Sequence, residues 1–325
     1  MQDVISRSVL VRCGDRLPVV DSAYLDCVSD TLALLLAERG VADVRAPFAA
    51  DWRFDLSRGA DGRLGPALPP AGQDELLAQR TGWRPRWQPA AEAGADARAW
   101  HARLSAGTPL AVVADAFHLP WLPYHGHEHM EHGFVVEAVD AGDDPVVTVV
   151  DPYDNVTQWG PAVPTQTAIA LSDLAPALPG GRWGFLEPAG AAHPRRPGEV
   201  VLDNAQAIAE AARDGRYERF IDQYRALTEA DLTHLALQTW LLRRSRGLHR
   251  LWLAGLRPGT VAAATAQLFA GVEAAWQRAG ESAYVALRRV SRGRTAPPAA
   301  LETLRAAADA ELAAATTLLE RESER

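Results

Sequence analysis

The sequence predicts an α+β fold over residues 1–197 followed by an all-α helical bundle over 198–325. Three observations lead there. Residues 26–40 carry an apolar helix with a polar start. Two valine-rich strands, 134–140 and 146–151, face each other across the turn Ala141-Gly142-Asp143-Asp144-Pro145. Beyond Pro197 the chain turns into long stretches of helical period broken by Thr228-Glu229, Pro258-Gly259 and Pro297-Pro298. At 325 residues the chain is long enough for two domains and a substantial core.

Taken in order, residues 5–13 bear Val9, Leu10 and Val11 and are expected to form a first strand. In the helix that follows, Asp26 is a good N-cap. Leu32, Leu35 and Leu36 recur at helical spacing, and Gly40 supplies the stop. From Pro47 to Gln73 the chain is loop-like, because Gly59, Gly62, Gly65, Pro66, Pro69 and Pro70 break any regular period. Trp52 and Phe54 either pin that loop or line a substrate entrance; pinning is the favoured reading. Helices are expected over 73–81 and 91–105, a strand over 109–115 leading toward the site, and a last strand over 183–186. One large helix on a mostly antiparallel sheet makes the first domain α+β. In the second, helices are expected near 203–227, 229–255, 259–291 and 298–322. Leu232, Leu235, Leu237, Trp240 and Leu241 keep a helical period that reads as a bundle, serving as support, lid or docking surface.

Composition narrows the function classes. There are no lysines, so all 33 basic residues are arginine against 41 acidic ones, net −8. Residues 1–199 hold 16 Arg and 26 Asp+Glu, net −10, and residues 200–325 hold 17 and 15, net +2. A mildly basic end on an acidic chain does not suggest nucleic-acid binding. Arginines bunch at Arg243, Arg244, Arg246 and Arg250 and again at Arg288, Arg289, Arg292 and Arg294; these meet an acidic partner or are solvated helix ends. Two cysteines, Cys13 and Cys27, make no disulfide framework and fit a reducing cytoplasm. The start Met1-Gln2-Asp3-Val4 lacks signal-peptide features, and no apolar run is long enough for a membrane span. No nucleotide-binding loop, dinucleotide fingerprint or repeat is present, and no cofactor is implied.

The chemistry centres on Cys27. A thiol in the first turn of a helix feels the positive end of the helix dipole and the unpaired N–H groups, which favour thiolate; a small buried core cysteine is the other reading. His132 opens the strand of 134–140 and Asp151 closes that of 146–151, so a hairpin brings the two side chains to one edge. Nucleophile, base and orienting carboxylate are then Cys27, His132 and Asp151. The segment Tyr124-His125-Gly126-His127-Glu128-His129-Met130-Glu131-His132 invites a zinc reading through His127, His129 and His132. It lacks a helical HExxH spacing, so no metal is assigned; His125, His127 and His129 shape a substrate loop or are exposed.

This order of motifs resembles papain-like cysteine enzymes. Over roughly residues 20–190 it is more closely similar to the N-terminal domain of the butirosin biosynthesis protein H family. The resemblance runs through Asp115, Phe117-His118-Leu119-Pro120, Pro123-Tyr124, His132, Asp140 and Asp151-Pro152. The helical part resembles the domain of unknown function often found behind that domain. Two departures stand out. No Gln precedes the cysteine within Val20-Asp21-Ser22-Ala23-Tyr24-Leu25, which leaves the Cys27 N–H as the one assigned oxyanion donor. Ala138 also stands where a glycine is expected.

The resemblance implies a cysteine acyltransferase of antibiotic biosynthesis. It would move an acyl group from the phosphopantetheine arm of an acyl or peptidyl carrier protein to a small-molecule amine through acyl-Cys27. Cys27, His132 and Asp151 are its expected catalytic residues. Asp115, His118 and Tyr124, which the resemblance matches, are expected to bind substrate, and so are Tyr24 and His129 beside them. The alternatives are a thioesterase or peptidase using the same three residues with water, and a non-catalytic carrier- or peptide-binding module.

Overall fold

In a computed structural model, the structure describes residues 13–20, 24–59, 61–67, 72–140, 142–256 and 261–323. In chain order, α1 (Cys27–Glu38) is followed by a short α2 (Ala46–Ala49), the paired β1 (Leu56–Arg58) and β2 (Leu64–Pro66), and α3 (Gly72–Thr81). Next come β3 (Trp83–Pro89), α4 (Ala93–Ser105), β4 (Leu110–Asp115), β5 (Glu131–Val139) and β6 (Val146–Asp151). A small hairpin of β7 (Asn155–Thr157) and β8 (Gly160–Ala162) leads to β9 (Thr165–Ala170), α5 (Leu171–Leu174) and β10 (Arg182–Pro188). The rest is helical: α6 (Pro197–Arg213), α7 (Arg216–Asp222), α8 (Glu229–Gly255), α9 (Val261–Val290) and α10 (Ala299–Ser323). The fold is α+β. No helix among the described residues is long and apolar enough to cross a membrane.

The chain divides into two units. The first joins the chain up to Arg45 with Leu77–His193, and the second joins Ala46–Leu76 with the chain from Pro194 on. The first is built on one antiparallel sheet of order β3-β10-β4-β5-β6-β9. Its two outer strands are the ones that periodicity does not pick out. β3 carries Pro85 and Pro89, and β9 is a short Thr/Gln/Ala segment; an edge tolerates both because one side of the strand needs no ladder bonds. The strand expected over 5–13 lies outside the described residues except for Cys13, which opens a 3-10 turn, Cys13–Val19.

Successive residues of a strand point to opposite faces, and β5 shows the consequence. Phe134 and Val136 join Trp100, Leu104, Val112, Val147 and Val149 in a dry cluster under α4. Gly133 faces α1 instead, so the two helices cover opposite sides of the sheet. In α1, Leu32, Leu34, Leu35 and Leu36 are all buried, so the helix is enclosed nearly all round. Its ends are as the sequence indicates. The Asp26 carboxylate accepts from the Val28 and Ser29 N–H groups at 3.0 and 2.9 Å, and Gly40 takes a left-handed φ of +76° after Arg39.

In the second unit, the single helix expected over 203–227 is two. Gly215 adopts φ +67° and separates α6 from α7. The capping box of Thr228 and Asp231 starts α8. The segment 46–76 belongs to this unit rather than to the contiguous domain 1–197. Trp52 meets Phe269 edge-on at 4.5 Å, and Phe54 stacks on Tyr217 at 4.0 Å. These two rings pin the loop. Beneath them lies Glu311, fully buried, whose carboxylate accepts from Trp52 Nε1, Trp276 Nε1 and Tyr217 OH and pairs with Arg246.

That pairing corrects the reading of the first arginine bunch as solvated. Arg246 is spent on Glu311, Arg250 pairs with Glu273 at 2.6 Å, and Arg244 is buried over the Trp240 ring. Arg288, Arg289, Arg292 and Arg294 are exposed.

Candidate active site

Cys27 is the first residue of α1. The Asp26 side chain covers the N–H groups of Val28 and Ser29 and accepts from Ser29 Oγ. The Cys27 N–H has no partner within the helix, as at every helix start. The thiol is half-buried, and its Sγ lies 3.8 Å from the Glu131 carbonyl oxygen, a long contact at the mouth of β5. Thr31 Oγ1 donates to the Cys27 carbonyl at 2.8 Å and holds the first turn. This approach needs a glycine at 133: a Cβ there would sit 2.8 Å from Cys27 O and 2.9 Å from Thr31 Oγ1.

His132 follows Glu131 in β5 and is completely buried. Its Nε2 lies 2.8 Å from Asp151 Oδ2 at the end of β6. A carboxylate only accepts, so Nε2 carries the proton and Nδ1 is the basic nitrogen of the neutral ring. Nδ1 is buried and makes no hydrogen bond among the described residues. Cys27 lies close enough to act on the ring, although its Sγ is out of hydrogen-bonding geometry with Nδ1. Burial opposes a charged imidazole, yet the Asp151 carboxylate, helped by Cys27, overrides it and pushes His132 up to about 10. An imidazolium is thus well supported next to a thiol.

Asp151 is itself anchored. Trp121 Nε1 donates to the same Oδ2 at 2.8 Å, and the Tyr153 N–H donates to Oδ1 at 3.0 Å. The Tyr153 ring meets His132 edge-on at 5.3 Å. Trp121, Tyr153, Thr31 and Gly133 are the residues that sequence reasoning does not find. The signals exist only as single residues beside the motifs, a Trp after Pro120, a Tyr after Asp151-Pro152 and a Gly after His132.

The expected substrate-binding residues separate. Asp115 and His129 come together, with Oδ2 2.6 Å from Nδ1, and the His129 ring stacks on Phe117 at 4.1 Å. Burial opposes the ionised Asp115, but the bonds from His129 and from the Phe117 and Met130 N–H groups hold its carboxyl below the usual range. His118 joins this pair, its ring 6.0 Å from that of His129. Tyr124 instead lies in the core, its hydroxyl accepting from Asn155 Nδ2 and its ring against Trp159. Tyr24 is half-buried in the turn before α1. His127 stacks on Trp159, and His125 is exposed. The trio His127, His129 and His132 is not brought together as a ligand set, because His132 is enclosed with Asp151.

The second cysteine is in a different setting. Cys13 is fully buried, and burial together with Glu38 and Glu137 pushes its thiol up. Chemically, the three residues offer one half-exposed sulfur, one base with its proton-bearing nitrogen fixed, and one anchored carboxylate. A scan against models of known protein families and a comparison with curated proteins both find no match to this chain.

Proposed function

We propose that the chain is a cysteine acyltransferase of biosynthetic type that works through acyl-Cys27. The observation that carries this reading is the division of labour on His132. Nε2 is committed to Asp151, and Nδ1 is buried beside the half-exposed thiol with no hydrogen bond among the described residues. Nδ1, supported by Asp151, holds the thiol proton as an imidazolium while the Cys27 thiolate attacks the carbonyl carbon of a thioester, and the proton then goes to the departing thiolate. An amine next attacks the acyl-Cys27 carbonyl, loses its proton to Nδ1, and leaves as an amide while the thiol is restored. The Cys27 N–H at the helix start stabilises the oxyanion in both halves. The resemblance to the butirosin biosynthesis protein H family favours an amine over water as acceptor and a carrier-bound thioester as donor. For an acidic carrier, the exposed Arg288 and Arg289 are the contact we assign.

The test is intact-mass analysis after mixing with an N-acetylcysteamine acyl thioester, with and without a simple amine. An adduct mapping to Cys27 that an amine discharges to an amide supports transfer. An adduct that water discharges equally fast assigns a thioesterase. No adduct on Cys27 overturns both and leaves a binding module.

A further inference from the structure

We propose that Asp115, His118 and His129 form a binding site for a divalent transition-metal ion of the zinc type at the end of the β4–β5 ladder. The sequence points elsewhere, to His127, His129 and His132. The fold enlists His129 but replaces its partners with an aspartate at the end of β4 and a histidine three residues later. One donor atom from each of the three side chains lies within 4.8 Å of the others. Two imidazoles and one carboxylate are a donor set that first-row transition ions prefer over magnesium or calcium, and three protein ligands leave a coordination position open for an exogenous group.

The set is held in advance. Asp115 Oδ1 accepts from the Phe117 N–H at 3.1 Å and the Met130 N–H at 3.3 Å, which fixes the carboxylate and turns Oδ2 toward His129. Phe117 stacks on the His129 ring with the planes 10° apart, limiting its rotation. Ligands bound at about 2.0–2.2 Å to a tetrahedral ion stand roughly 3.3 Å apart, so the 2.6 Å contact between Asp115 and His129 opens by less than about 1 Å. Asp115 is paired directly with Glu131, whose carbonyl receives the Cys27 thiol, so the proposed ion lies at the strand end that the nucleophile faces.

The experiment uses the full chain carrying Cys27→Ser, which removes the thiol as a competing ligand. Zinc chloride is titrated calorimetrically, and cobalt chloride is followed by its d–d absorption. One equivalent is expected to bind, with a tetrahedral or five-coordinate cobalt spectrum. His118→Ala and His129→Ala, each checked by circular dichroism, should weaken zinc at least about tenfold, whereas His125→Ala and His127→Ala should leave it unchanged. Absence of stoichiometric binding, or loss that follows His125 or His127 instead, overturns the site. Because binding is read directly, the result does not depend on the acyltransferase reading.

Discussion

Replacing Asp151 by Asn probes how the base is held. Oδ2 accepts from both His132 Nε2–H and Trp121 Nε1–H, and Oδ1 from the Tyr153 N–H. An amide has one oxygen for these places. With the oxygen in the position of Oδ2, His132 and Trp121 stay satisfied and the Tyr153 N–H is orphaned. With the oxygen in the position of Oδ1, Tyr153 is satisfied and the amide donates to a flipped His132 tautomer, but Trp121 is orphaned. Each arrangement leaves one donor unpaired, so the useful tautomer keeps a substantial share. What is lost is the charge. Asp151 overrides burial in raising His132 from 6.5 to about 10, a net shift of roughly 5 kcal/mol between its protonation states. Formation of acyl-Cys27 should therefore slow by about 10³-fold in Asp151→Asn. Trp121→Phe alone leaves the carboxylate intact and should cost little. In the double variant the flipped tautomer is fully satisfied, so a further loss of about tenfold follows, one buried hydrogen bond's worth. Quench-flow with a small acyl thioester and mass detection reads these rates. A wild-type rate in Asp151→Asn, or a double variant no slower than Asp151→Asn, would refute the reasoning.

Iodoacetamide under native conditions should modify Cys27 long before Cys13, as read by peptide mapping, because Cys13 is buried with its thiol pushed up. Gly133→Ala should cost about 1–3 kcal/mol in urea unfolding and slow alkylation of Cys27, since the new methyl drives α1 off β5; unchanged stability would count against that packing. Glu311→Gln leaves the Arg246 charge buried without a counter-ion and should lower stability by about 3–5 kcal/mol, read by urea unfolding followed by tryptophan fluorescence. A change under about 1 kcal/mol would refute that role. Burial, with the Arg246 charge adding to it, pushes His249 down to about 4 while its Nδ1–H donates to Ala49 O. The unfolded chain takes up this proton near pH 6.5 and the folded one does not, so stability is lost as pH falls from 6.5 toward 4. In His249→Gln that part of the acid sensitivity should vanish from the denaturation midpoint; an unaltered pH dependence would contradict it.

Local signals carried much of this protein. The caps of α1, the leucine period within it and the valine runs of β5 and β6 are properties of neighbouring residues, so they can be read without a fold. The same is true of the candidate triad. A thiol at a helix start, a histidine at one strand's mouth and an aspartate at the next strand's end are each located by their own element, and a hairpin brings the last two together. Other features were decided by pairings between residues far apart in sequence. Trp121 and Asp151, thirty positions apart, share one bond. Trp52 meets Glu311 from 259 positions away and draws the segment 46–76 into the helical unit. Arg246 looks like part of a solvated basic run until Glu311, 65 positions away, pairs with it. Asp115, His118 and His129 converge because a strand end and a loop return to one place. Periodicity states which face of an element is apolar. It does not state which distant side chain will fill the space beside that face, because that choice is made by shape and by the need of each buried polar group for a partner.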